Sequence, residues 1–261
     1  MITTSDQPES ITLELCTGGI DDVQLAAAVG ADRIELNCGM ACGGLTASAA
    51  MAEAARRLFS GNIVAMVRPR EGSFVYSQSE FLMMLRDAET LAAQGINGLA
   101  IGFLQPDGSI DQARTSRVRQ ILPQTELVFH RAFDWTPDRA AALEQLVDCG
   151  YTRILTGGGP GPACAEGLRE LVRQAAGRIE IVACGGIRAH NVETILRCSG
   201  VTQVHSAARE TIDPAPPHNV GLLHFGLPDF GAASYGRTSP AQLQELLSAL
   251  KPWRTSAESG S

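Results

Sequence analysis

Eight short runs rich in β-branched and aliphatic residues alternate with helical segments along nearly the whole chain, and this alternation constrains the fold more than any other feature. The runs are ITLELC (11–16), RIELN (33–37), IVAMVR (63–68), GLAIGF (98–103), ELVFHRA (126–132), TRILTG (152–157), IEIVACGG (179–186) and TQVHSA (202–207). Such alternation implies parallel pairing, because each return to the same sheet edge needs a crossover long enough to hold a helix. A weak repeat implies closure. Gly30, Gly95, Gly150 and Gly200 each stand between a helix and an even-numbered strand, 65, 55 and 50 residues apart. Glycine suits the left-handed position just past a helix end. Each interval holds two βα units, so four of them make an α/β fold of the (β/α)8 TIM-barrel type in a single domain. An open doubly wound sheet gives no reason for a quarter repeat.

The barrel is expected over residues 11–253, between a flexible N-terminal tail (1–10) and a disordered C-terminal tail (254–261). Ser77 with Glu80 reads as a capping box, and Thr136-Pro137 and Ser239-Pro240 read as caps followed by proline in the first turn. The long connection 209–239 interrupts the rhythm and reads as a lid, a dimer contact or a surface loop.

With 261 residues and 44% hydrophobic content, one sizeable core is within reach. The formal charge of −7 argues against nucleic acid and anionic membrane as partners, since either wants a basic face. No apolar run approaches membrane-span length and no basic-then-apolar leader opens the chain, so a cytoplasmic protein is expected. Seven scattered cysteines then read as free thiols.

Helices cover one face of each strand, so the polar phase of the alternation faces the lumen. This choice places Thr12, Glu14 and Cys16, Glu35 and Asn37, Met66 and Arg68, His130, Thr156, and Gln203 with His205 inside. Most of these sit at strand C-termini, where TIM barrels carry their chemistry. A Glu–Arg network that merely fills the barrel is one reading of this set, and a ligand site is the other. In the second reading His130 and His205 exchange protons, Glu14 and Glu35 position or deprotonate a substrate, and Arg68 with Arg131 neutralises its charge. Asp134, beyond the fifth strand, either orients a neighbour or starts a turn. TGGGPGPACAEG (156–167), opened by Thr156, and CGGIRAHN (184–191), with Gly185 and Gly186, form glycine-rich corners that suit a phosphate or simply the tight turns, and Ser206 at a further strand end is a substrate-binding candidate beside them. The substrate of such an enzyme would be a small anionic metabolite, phosphorylated or sugar-like. A regulatory barrel that binds the same ligand without turnover is a third reading.

The segments LELC, ADRIEL with GGLT, VRPR, FHRAFD, ILTGG and VHSAAR together resemble the CutC copper-homeostasis family, over about residues 11 to 210. The resemblance implies a TIM barrel, a cytoplasmic homodimer and a role in copper tolerance. Copper-holding members use the cysteine that ends the first strand and the one directly after EL on the second. The first is Cys16 here; the second position holds Asn37, with Cys38 one residue on and Cys42 where an acidic residue is common. The resemblance therefore implies Cu(I) contacted by Cys16 with Cys38 or Cys42, and no other cofactor. Cu(I) is soft and favours thiolate over an amide such as that of Asn37.

Overall fold

The computed structural model describes residues 10–213 and 234–254. The expected tails, apart from Ser10 and Arg254, and the middle of the 209–239 connection lie outside the described residues. All eight expected strands form: β1 (Thr12–Thr17), β2 (Arg33–Leu36), β3 (Asn62–Met66), β4 (Gly98–Ala100), β5 (Glu126–Phe129), β6 (Arg153–Thr156), β7 (Glu180–Ala183) and β8 (Gln203–Ser206). Each pairs in parallel with the next, and β8 pairs with β1 to close the barrel. The helices are α1 (Ile20–Ala28), α2 (Ala49–Leu58), α3 (Gln78–Ala93), α4 (Gln112–Ile121), α5 (Arg139–Asp148), α6 (Ala165–Ala175), α7 (Val192–Ser199) and α8 (Pro240–Leu250). The single-domain TIM barrel is therefore the observed architecture.

The four glycines of the quarter repeat have φ of 66°, 78°, 73° and 76°, left-handed values that a side chain would strain. The capping box at Ser77 is present, and Ser239 caps α8 ahead of Pro240. The cap expected at Thr136 is displaced. The Thr136 hydroxyl donates to the Phe133 carbonyl at 2.8 Å, and Asp138 accepts the first-turn amide of Ala141 instead.

The outward strand residues, Leu13, Leu15, Ile34, Leu36 and Ile63 among them, are fully buried under the helices and belong to the main core. Each such side chain contributes about 1.5–3 kcal/mol on burial. The lumen is divided. Val64, Met66, Ala100, Val128, Leu155, Val182 and Cys184 form a separate apolar cluster contributed by β3 to β7. The remaining wall, β8–β1–β2, presents His205, Glu14, Cys16, Arg33 and Glu35. At the N-terminal end Arg153 donates to Glu126 and Glu180, each at 2.7 Å. TIM barrels use that end for stability.

After β8 the chain forms an antiparallel pair, β9 (Arg209–Ile212) with β10 (Tyr235–Thr238), at the base of the long connection. Asp22 of α1 accepts amides from both Gly18 and Thr238 at 2.8 Å, fastening this hairpin beside the end of β1. At the opposite end of the barrel the amide of Ile11 donates to the carbonyl of Trp253 at 3.2 Å. All seven cysteines are free, and no helix among the described residues is long and apolar enough to cross a membrane.

Candidate functional site

Strand register builds the site. Glu14 on β1 stands opposite His205 on β8 and Arg33 on β2, and Cys16, one step higher on the same face, stands opposite Glu35. Both oxygens of Glu14 are engaged. Arg33 Nε donates to Oε2, and His205 Nδ1 lies 2.7 Å from Oε1. Arg33 also donates to Gln203 Oε1 at 2.7 Å. Burial alone would raise the Glu14 carboxyl, but the Arg33 charge and the His205 bond outweigh it and hold the group ionised. Burial likewise opposes charge on His205, yet Glu35, Cys16 and Glu14 together raise its pKa well above the ordinary value.

Glu35 has the opposite balance: burial, aided by the Glu14 charge, raises its carboxyl against the pull of His205. Its Oε2 accepts the Asn37 amide at 2.8 Å and lies 3.7 Å from Cys16 Sγ and 4.0 Å from His205 Nε2. Its Oε1 is buried with no partner among the described residues. Burial pushes the Cys16 thiol up as well. Cys16, Glu35 and His205 each bring one ligand atom within 4.8 Å of the others, and they are the one such group among the described residues. A second sulfur adjoins them. Met40 Sδ, in the 3-10 turn Met40–Cys42, is 3.9 Å from Cys16 Sγ. Gly18 makes room for it, since a Cβ there would come within 2.5 Å of the Met40 side chain.

The other two cysteines expected at the metal are placed differently. Asn37, next in the inward phase of β2, takes the lumen position, so Cys38 faces the other way. Its backbone pairs with Leu45 and its thiol donates to the Thr46 carbonyl at 3.0 Å. Cys42 offers its carbonyl to Arg68 at 2.8 Å, and its thiol is not part of the cavity lining.

Across a cavity of about 260 Å³ from Cys16 stand Arg68 and His130. Arg68 Nη1 donates to the Cys42 and Gly44 carbonyls and Nη2 to that of Gly72, while the guanidinium stacks on Phe74 at 5.1 Å. His130 Nδ1 accepts the Ala132 amide at 3.2 Å, which leaves the ring proton on Nε2. Burial and the Arg68 charge push this histidine down to about 3. Burial and charge thus shift the two histidines in opposite directions, His130 downward and His205 upward.

Arg131, Arg188, Gly185, Gly186 and Ser206 line the same cavity. Gly185 and Gly186 have φ of 94° and 81°. Ser206 Oγ donates to the Ile187 carbonyl at 2.8 Å and accepts from Arg188 at 3.4 Å. Asp134 orients its neighbour: it accepts from Arg131 Nε at 2.9 Å, from the Thr156 hydroxyl and from the Gly157 amide. Thr156 was expected in the lumen and is corrected. On β6 the inward residues are Arg153 and Leu155, so Thr156 lies on the opposite face, bonded to Asp134 behind the cavity. Sequence reasoning missed Arg33, Cys184, Arg188 and Met40. The alternation already used for β2 points to Arg33, and the same alternation extended to β7 would have pointed to Cys184, whereas no pattern announces Met40.

The CutC family model matches residues 11–210. The chain belongs to the CutC family. A CutC protein of Treponema denticola is 39% identical over 222 residues, covering 84% of this chain and 90% of that protein. One from Sinorhizobium medicae is 36% identical over 242 residues, covering 92% and 96%. The crystal structure of the Streptococcus agalactiae CutC, described as a copper homeostasis protein, superposes with a TM-score of 0.73 at 31% identity, covering 76% of this chain and 98% of that one. A solved structure described as QR15, an aldolase, shares the fold alone, with a TM-score of 0.59 at 14% identity, covering 79% of this chain and 92% of that one.

Proposed function

We propose that this CutC-family chain is a cytoplasmic copper-homeostasis protein whose cargo, Cu(I), is taken by Cys16, Met40 and His205. The observation that carries the reading is the meeting of a buried thiol, a thioether 3.9 Å from it and an imidazole at the mouth of one barrel. Soft sulfur donors with imidazole suit Cu(I), and carboxylate does not compete well for so soft an ion. The family's second cysteine is replaced in this chain by Asn37, and Met40 supplies the second sulfur in its place.

The residues around the donors support the same reading. Glu14 holds His205 through Nδ1, which directs Nε2 toward Cys16 in the manner of a carboxylate–histidine–metal arrangement. Before a cation can be held, the thiol proton of Cys16 and the Nε2 proton of His205 must leave. Glu35, with its raised carboxyl 4.0 Å from Nε2, is within reach of one of these two protons, and the other leaves to solvent through the cavity.

Anaerobic titration of the reduced protein with Cu(I) against a competing chelator tests the reading. One equivalent bound tightly by the native chain and lost in Cys16→Ser is the expected result. Equal binding by the two proteins would overturn it. A homodimer is proposed as well, and Leu82 and Met83, exposed on α3, offer apolar surface for it.

A further inference from the structure

We propose that the wall of the cavity formed by Arg68 and His130 is a binding site for the oxyanion of a small metabolite, a carboxylate or a phosphate, received by Arg68 Nε and the Nε2–H of His130. The site stands beside the copper-binding groups and does not depend on them.

Both atoms are buried and neither has a hydrogen-bond partner among the described residues. Arg68 and His130 are 7% and 2% exposed, and both line the cavity. Buried donors of this kind are paired in native proteins almost without exception, so two unpaired ones on residues that line one cavity call for an acceptor from outside the chain. Phe74 ties them together: the guanidinium lies 5.1 Å from its ring and the imidazole 4.9 Å.

Both donors are fixed in advance. The remaining nitrogens of Arg68 are held by three carbonyls, and His130 is held by the Ala132 amide and by close packing on Gly102, where a Cβ would meet the ring at 2.8 Å. Donors held in place in advance bind charge without the cost of rearrangement. Because His130 is held neutral, it donates rather than takes a proton.

Charge balance points the same way. The carboxylate of Glu14 is shared by Arg33 and His205, and Glu35 faces His205. Arg131 is paired with Asp134. Among the described residues Arg68 and Arg188 pair with no carboxylate, so the mouth carries unneutralised positive charge in a protein of net charge −7. A cavity of about 260 Å³ admits a small metabolite and not a folded partner.

The test uses copper-free protein, with inorganic phosphate and succinate as the two probes. NMR of the native chain follows the His130 Nε2–H resonance while calorimetry measures affinity. A downfield movement that saturates with either probe is expected. Arg68→Gln should weaken binding about tenfold or more, as loss of a charged hydrogen bond does. Arg86→Gln, on the exposed face of α3, should leave it unchanged. The probe that binds more tightly distinguishes a phosphorylated from a carboxylic ligand. Should Arg68→Gln fail to fold, the native NMR titration decides alone. Absence of saturation with both probes, or equal affinity in Arg68→Gln, would overturn the proposal. Copper binding is measured separately, so its failure leaves this site standing.

Discussion

At the scale of single residues, Met40 and His130 carry the most. Met40 reaches Cys16 because Gly18 has no side chain and because Gly39, at φ 56°, turns the chain into the 3-10 segment. Neither condition is visible in a residue pattern, whereas Cys16 itself follows from strand phase. Met40→Leu keeps the volume and removes only the sulfur. Its Cu(I) affinity should fall by about tenfold, the loss common when a supporting group at a metal site is removed. Chelator competition measures this, and an unchanged affinity would take Met40 out of the site. His130 gives a pH signature. Its ordinary pKa is 6.5 and the folded value about 3, so between these values the unfolded chain holds a proton that the folded chain lacks. Stability therefore falls as pH falls, by about 1.4 kcal/mol per pH unit from this group, and is unaffected by it above 6.5. His130→Asn retains an acceptor for the Ala132 amide but does not titrate. Urea unfolding from pH 6.5 down to about 4 should show a shallower decline for the variant, and parallel declines would refute the assignment.

At the scale of elements, strand existence was legible, and strand phase was legible on five of the six strands where inward positions were assigned. On β1, β2 and β8 the polar and apolar residues alternate cleanly, so Glu14, Cys16, Glu35 and His205 were placed from the sequence. On β6 the sequence RILTG contains arginine and threonine in opposite phases, and choosing the threonine misplaced the strand by one residue. The physical arbiter was Glu126 with Glu180, which draw Arg153 inward from neighbouring strands. Thr156 then serves the turn after β5 by bonding Asp134. Thr156→Val, which preserves shape and removes the hydroxyl, should cost about 1–3 kcal/mol, because it leaves Asp134 short of a buried donor. Chemical denaturation reads the loss. Copper binding should be untouched, since Thr156 is on the far face of β6. The tight turn after β2 escaped sequence reading for a related reason. Alternation stops at a strand end, and the Cys38–Leu45 pairing that follows is a loop property.

At the scale of the whole molecule, closure was legible through the glycine repeat, because each helix end demanded the same left-handed residue. The division of the lumen was legible only in part. The sequence shows where charges are, but burial of Val64, Val128, Leu155 and Val182 as one cluster is a consequence of closure. The middle layer of β3 to β7 is hydrocarbon, whereas β8, β1 and β2 carry a chain of ion pairs in direct contact, so those ionic groups are tuned chiefly by each other. The proposed dimer belongs to this scale as well. Light scattering at micromolar concentration should give twice the chain mass, and Leu82→Glu should halve it; a monomeric native chain would end that expectation.

The hydrogen bond between Ile11 and Trp253 sets the two ends of the barrel segment side by side beneath the first strand, on the floor opposite the cavity. A fluorophore, tether or fused reporter joined there would hang away from the mouth. A chain anchored to a sensor surface beside Ile11 or Trp253 would thus present the proposed copper-binding groups outward, and a short splice joining these two positions would allow the barrel to be reopened at another loop with every proposed donor still in register.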